Sequence, residues 1–249
     1  MTAQGPESGT ADRPVVVFLH GGGVAGWMWQ RQVEYFGATH QVVVPDLPGH
    51  GRSGAAGFTT IAAAADRMAG LIRDLGPARR VGVVGFSLGA QIAVDLASRH
   101  QGIVDSAVLV SALVLPLPAA RLAGPLLRSA APLRNRRWFA RLQARSMFIP
   151  PGMFGDYVRS SGQVSAHSLG NILRENAAYR IPAGWRTSTA RTLILAGRQE
   201  RRVMRRSAAA LHAGLPGSEL RVLPGCGHGI PLQEPDAFNA ITAEWICAR

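Results

Sequence analysis

Residues 81–96, VGVVGFSLGAQIAVDL, carry an apolar strand directly into an apolar helix. The first half is an unbroken run without polar side chains, as expected of a strand buried on both faces. The second half is small and apolar around most of its circumference, so it too must pack against something. Gly85-Phe86-Ser87-Leu88-Gly89 at the junction fits G-x-S-x-G. A serine on so tight a strand-to-helix turn is forced into a strained backbone conformation. Flanking glycines let the two elements approach without Cβ clashes. The hydroxyl then stands exposed near the positive N-terminus of the helix. In a chain with 29 glycines the bare motif is weak, and the flanking strand and helix carry the reading. The alternative is that Ser87 merely caps the helix.

Other segments repeat this alternation. PVVVFLH (14–20), QVVVPD (41–46), RRVGVVGF, IVDSAVLVSA, RTLILAG and SELRVLPG read as strands. Between and after them, 25–37, 59–75, LGAQIAVDLASRH, VMRRSAAALHAGL and PDAFNAITAEWICA read as helices. Alternation with near-continuous apolar strands predicts an α/β fold whose parallel sheet carries helices on both faces. The pattern fails over residues 114–185, which are rich in Pro and Arg but keep Trp138, Phe139, Met147, Phe148, Met153, Phe154 and Tyr157. Such side chains need a packing surface, so the segment reads as a helical insertion. The expected organisation is a loose arm (1–13), a core (14–113 and 186–249) and the insertion (114–185).

The chain is 47% hydrophobic and 17% charged, which fits a globular core. Its apolar runs are too short to span a bilayer. The polar N-terminus shows no secretory h-region, and only Cys226 and Cys247 are present, so a reduced, cytoplasmic setting is the expectation. All 27 basic residues are Arg, and 17 of them lie in residues 113–206 against 3 acids. That excess points to an anionic substrate or an acyl carrier, or else to a solvated Arg-rich face. No aromatic-interleaved basic motif supports nucleic-acid binding.

Two further stretches carry chemistry. In FLHGGGVAGW a strand ends at His20 and runs into three glycines. Backbone amides unobstructed by side chains can bind the oxyanion of a tetrahedral intermediate, and Gly22 N–H and Leu88 N–H are assigned that role. His20 reads as structural. In LPGCGHGIPLQEP, His228 follows the last strand on a glycine-rich loop. Open α/β sheets place their sites at that strand edge, and a serine nucleophile needs a neighbouring base. Its alternative is a solvated loop histidine. Gly21, Trp27, Trp29 and Phe86 are candidate walls of an apolar pocket, or else core.

LHGGG, PDLPGHGRS, GFSLGAQIA, LILAGRQE and PGCGHGIPLQEPDAFN resemble successive landmarks of the α/β-hydrolase superfamily, across essentially the whole chain except the insertion. The resemblance implies a nucleophile elbow at Ser87, a base at His228 and a helical cap over residues 114–185. It implies no cofactor and no metal. Asp46 matches a turn position that is structural in that family. Only about a dozen residues precede the first strand, where many members have an extra hairpin. The expectation is therefore six strands, mostly or wholly parallel, as in the compact branch that contains plant methylesterases and hydroxynitrile lyases. The family's acid, usually Asp, stands three residues after the glycine ending its strand; counted from Gly197 that is Glu200. In some relatives the acid lies one strand earlier, but that strand ends here at Ser111 with no carboxylate. The opposing reading makes Glu200 a surface acid paired with Arg198, Arg201 and Arg202.

A serine nucleophile disfavours the Asp-dependent dehalogenase and epoxide hydrolase relatives. The absence of Lys disfavours the lyase mechanism. The leading expectation is a serine-dependent hydrolase of a carboxylic ester or lactone with a small to medium apolar acyl group, working through an acyl-enzyme. The alternatives are a thioesterase on CoA or carrier-protein thioesters, a carbon–carbon bond hydrolase, and a small-molecule receptor with little turnover.

Overall fold

The computed structural model describes residues 13–76, 79–117 and 137–247. The expected arm, apart from Arg13, and residues 118–136 of the expected insertion lie outside the described residues. Six strands form one sheet: β1 Val15–Leu19, β2 Gln41–Val43, β3 Val81–Phe86, β4 Ser106–Val110, β5 Arg191–Gly197 and β6 Glu219–Leu223. Their order is β2-β1-β3-β4-β5-β6, and every neighbouring pair is parallel. The six-stranded, wholly parallel sheet matches the expectation. Nine α-helices are described: α1 Gln30–Phe36, α2 Ile61–Asp74, α3 Leu88–Arg99, α4 Arg137–Ser146, α5 Phe154–Gln163, α6 Ala166–Ala178, α7 Arg202–Gly214, α8 Ile230–Gln233 and α9 Pro235–Cys247.

Successive side chains of a strand point to opposite faces, and the apolar runs exploit this. Val15, Val17 and Leu19 of β1 join Val83, Leu109 and Ile194 in one core, which α2, α3 and α7 cover. Val16 and Phe18 join Val84, Phe86, Val108, Val110, Leu193 and Leu195 in the other, closed by Trp29, Phe36, Phe238 and Trp245 from the α1 and α9 side. Each fully buried Leu, Val or Phe contributes roughly 1.5–3 kcal/mol. The edge strands β2 and β6 are only partly buried.

Local chemistry sets the helix ends. The Ala63 N–H donates to the Thr60 Oγ1 (3.0 Å), capping α2. The helix expected over 25–37 begins instead as a 3-10 turn, Gly26–Trp29. Its Gly26 N–H is drawn out to the Asp46 carboxylate (2.8 Å), and Met28 N–H closes on Ala25 O (3.2 Å).

Between β4 and β5 the described residues contain helices and no strand. This segment is tied to the sheet-and-helix body by named bonds. Trp27 Nε1–H donates to Ser160 Oγ (3.0 Å), Asn171 Nδ2 to Phe58 O (2.9 Å) and the Tyr179 hydroxyl to Gln91 O (3.1 Å). Met147, Met153, Phe154 and Tyr157 pack onto the second core. Trp138 differs: it remains 58% exposed, edge-on to Phe139. Among the described residues no helix is long and apolar enough to cross a membrane.

The tightest joint lies between β1, β3 and α3. A Cβ on Gly89 would stand 2.1 Å from Leu19 O and 2.7 Å from His20 O; one on Gly85 would meet Gly89 O at 2.4 Å. Alanine in place of glycine ordinarily strengthens a helix by about 1 kcal/mol. Here the sign reverses: Gly89→Ala is expected to lower unfolding stability by more than about 2 kcal/mol through backbone displacement. Urea denaturation checks this, and a stability equal to or above wild type would contradict the close approach.

Candidate active site

Strands β3, β4, β5 and β6 lie side by side, and beyond their carboxyl ends stand Ser87, Ser111, Glu200 and His228 in turn. Ser87 has φ 52° and ψ −111°, in the positive-φ half of the map that non-glycine residues avoid. Its N–H donates to Val110 O (2.9 Å), and its carbonyl accepts from Ala90 N–H and Gln91 N–H (3.1 Å each). Its side chain caps nothing in α3. The hydroxyl instead lies 3.2 Å from His228 Nε2.

His228 stands between Gly227 and Gly229, and its side chain is 33% exposed. Its ring tilts against Phe86, centroids 5.2 Å apart. Phe148 packs closely on both glycines: a Cβ at Gly227 would sit 2.5 Å from the phenyl ring, and one at Gly229 would sit 2.7 Å from Phe148 Cβ. Phe148 itself has φ 58°.

Glu200 turns inward, with no side-chain exposure, while Arg198, Arg201 and Arg202 are exposed. Its Oε1 is 3.9 Å from His228 Nδ1. The same oxygen accepts from the Ser111 hydroxyl and from Gly197 N–H (3.3 Å). Its Oε2 is buried without a hydrogen-bond partner. Gly197 allows the His228 loop to come close, since a Cβ there would meet Cys226 O at 2.3 Å and Gly227 O at 2.4 Å.

The glycine turn after β1 lies against Ser87. A Cβ at Gly21 would stand 2.9 Å from the Phe86 ring and 3.6 Å from Ser87 Cβ; one at Gly22 would meet Ile172 and Leu88. Among the described residues, Gly22 N–H and Leu88 N–H have no hydrogen-bond acceptor, whereas Gly23 N–H donates to His50 Nε2 (3.1 Å). His50 Nδ1–H donates in turn to Pro48 O (3.0 Å). His20 works in the same way: Nε2 accepts from Leu47 N–H (2.9 Å), and Nδ1–H donates to Gly21 O (2.8 Å). Each ring has one accepting and one donating nitrogen, the pattern of neutral imidazole. Burial, with the neighbouring His50, pushes the His20 pKa down to about 3, and burial lowers that of His50. These two staples fix the glycine turn. Burial alone would raise the pKa of Asp46. Hydrogen bonds from Gly26 N–H, Arg52 N–H and the Arg52 guanidinium outweigh it and hold the carboxyl below its usual range.

Two pocket candidates are displaced. Trp29 is fully buried against Phe18 (centroids 5.0 Å) and Phe238 (6.1 Å), so it is a core residue. Trp27 lines a cleft of about 480 Å³ with Asp46, Arg52, Asp156 and Arg159; Ser87, His228 and Glu200 are not among its walls. Gly21 and Phe86 do border the Ser87–His228 pair. Ser111 and Phe148 had no assigned role in the sequence reading. Among the described residues no group of three or more His, Cys, Asp and Glu could hold a metal ion.

Residues 16–241 match the model of a family described as the alpha/beta hydrolase family. A putative carbamate hydrolase, RutD, of Pantoea ananatis is 28% identical, with 95% of this chain and 89% of that protein aligned. A 2-hydroxy-6-oxo-6-phenylhexa-2,4-dienoate hydrolase of Burkholderia cepacia is 25% identical over 93% of this chain and 87% of that protein. Among solved structures, an esterase from Exiguobacterium antarcticum superposes with a TM-score of 0.81 at 20% identity, covering 95% of this chain and 93% of that one.

The neutral histidine staples generate a pH dependence. In the unfolded chain these rings protonate below about pH 6.5; in the folded chain His20 resists protonation down to about 3. Their stabilising contribution is therefore whole above pH 6.5 and is lost as the pH falls toward 3. Stability should drop by on the order of 3 kcal/mol by pH 4. His20→Gln, which keeps one donor and one acceptor, should flatten that slope. Urea midpoints at pH 7 and pH 4 measure both, and equal slopes for the two proteins would contradict the assignment.

Proposed function

The chain belongs to the alpha/beta hydrolase family, and we propose that it is a serine-dependent hydrolase of a small to medium apolar carboxylic ester or lactone. One observation carries this reading: the Ser87 hydroxyl, on a backbone strained to φ 52°, lies 3.2 Å from the imidazole of His228. A lone serine hydroxyl is a poor nucleophile at neutral pH, and a base within hydrogen-bonding reach activates it.

In the proposed reaction Ser87 Oγ attacks the substrate carbonyl carbon while its proton passes to His228 Nε2. The carbonyl oxygen becomes an oxyanion, which the Gly22 and Leu88 amides receive. The intermediate collapses, the alcohol leaves with the proton from His228, and an acyl-Ser87 ester remains. Water, deprotonated by His228, then attacks that ester and releases the acid. For Nε2 to accept a proton, Nδ1 must already carry one, and that N–H faces the Glu200 carboxylate. Glu200 stabilises the imidazolium as it forms. The 3.9 Å separation exceeds a hydrogen bond, and contraction on substrate binding closes it, as catalytic contacts commonly tighten in the substrate complex. The helical segment between β4 and β5 serves as a cap whose Ile172 and Phe148 reach the Gly22 and His228 loops.

Exposed Arg141, Arg145, Arg174, Arg180 and Arg186 on or just after those helices favour a second reading, a thioesterase for anionic CoA thioesters.

A short p-nitrophenyl ester tests the first reading. Wild type should turn it over, Ser87→Ala should abolish turnover, and Glu200→Gln should cut kcat by about 10³-fold or more. An unchanged rate in Ser87→Ala would sink the mechanism. A strong preference for acyl-CoA, weakened by salt, would select the thioesterase reading.

A further inference from the structure

Among the described residues only three non-glycine residues have positive φ: Ser87 (52°), Ser111 (56°) and Phe148 (58°). Each lies against a different member of the Ser87–His228–Glu200 set. Backbone strain that persists must be held by its surroundings, and it gathers where geometry serves function. Ser87 is the reacting residue of the proposed mechanism, and Phe148 packs on the two glycines beside His228. Ser111 is left to be explained.

Ser111 follows β4 directly and is 2% exposed. Its N–H donates to Leu195 O (2.9 Å), continuing the sheet ladder. The positive φ then turns its side chain toward the neighbouring strand ends. Its hydroxyl donates to Glu200 Oε1, and His228 O also lies 3.2 Å from it. The hydroxyl has one proton for these two acceptors, and an ionised carboxylate is the stronger of them. Ser111 thus links the acid to the main chain of the base.

We infer that Ser111 is the positioning residue for Glu200 and sets the carboxylate oxygen that faces His228. This inference rests on the serine-hydrolase reading above. Glutamate has one more rotatable bond than aspartate, so a buried Glu acid needs something to select its rotamer. Two donors converge on Oε1, the Ser111 hydroxyl and Gly197 N–H, while Oε2 has none. They select the rotamer in which Oε1 looks at His228 Nδ1. Without the hydroxyl, Gly197 N–H is the remaining donor, at 3.3 Å, and the carboxylate can turn away from the ring.

The test is a double-mutant cycle of Ser111→Gly with Glu200→Gln. Glycine suits the positive φ, so it removes the hydroxyl without adding strain. Ser111→Ala, which keeps the Cβ, is the second variant should the glycine form fail to fold. Two readouts are used: the rate of Ser87 labelling by a fluorophosphonate, and kcat and KM on p-nitrophenyl acetate. In the wild-type background the Ser111 change should slow labelling and lower kcat by about tenfold or more, with KM held within about twofold. In the Glu200→Gln background it should change either rate by less than about threefold, because its action runs through the missing carboxylate. Full additivity, or an unaltered rate in the single Ser111 variant, overturns the inference while leaving the Ser87–His228–Glu200 mechanism intact. A near-normal rate in Glu200→Gln alone overturns both Glu200's role and that of Ser111.

Discussion

The close approach of three backbones at Gly89 is the constraint on which the rest depends. The α3 helix begins so near the end of β1 that no Cβ fits at Gly89, and β3 enters the same joint through Gly85. This leaves Ser87 one backbone conformation, at positive φ, held by Val110 O on one side and by the first amides of α3 on the other. The strain costs of order 1–3 kcal/mol. Burial in the two cores on either face of the sheet supplies the stability that offsets it. The same joint leaves the Leu88 amide without an acceptor at a helix N-terminus, where developing negative charge is favoured.

Around that joint each remaining group is fixed by a different kind of contact. Buried neutral imidazoles, His20 and His50, tie the glycine turn to the loop after β2. Apolar contact from Phe148 holds the glycines beside His228. Hydrogen bonds to a buried carboxylate hold Glu200. The division follows from charge. A neutral ring can be buried cheaply once both nitrogens are paired, whereas a buried carboxylate requires donors aimed at it.

The sheet was readable because its strands are short β-branched runs whose alternate residues feed two cores. That Ser87 and His228 would meet at one sheet edge was legible because glycines mark places where backbones crowd, and crowding after a strand in an α/β chain occurs at the edge where sites form. Trp29 was open between pocket wall and core because an aromatic beside a glycine turn can point either way; it lies in the core, on a 3-10 turn whose Gly26 N–H is held by Asp46. The partner of Gly23, His50, is 27 residues away, so no local pattern announces it. Ser111 and Phe148 were opaque for another reason. Nothing in the residue types Ser and Phe signals a left-handed backbone; the neighbours that impose it are far away in sequence. Glu200 looked from its neighbours like one acid among arginines, and its burial comes from the turn after Gly197.

The central claim is that Ser87 forms a covalent acyl intermediate, and it is most directly tested by acid-quenching the protein during the first turnovers of a p-nitrophenyl ester. Mass analysis should find one acyl group on the peptide containing Ser87, with about one equivalent of p-nitrophenol released in the burst. Turnover with no acyl group on that peptide, or an acyl group on a different residue, would contradict the account.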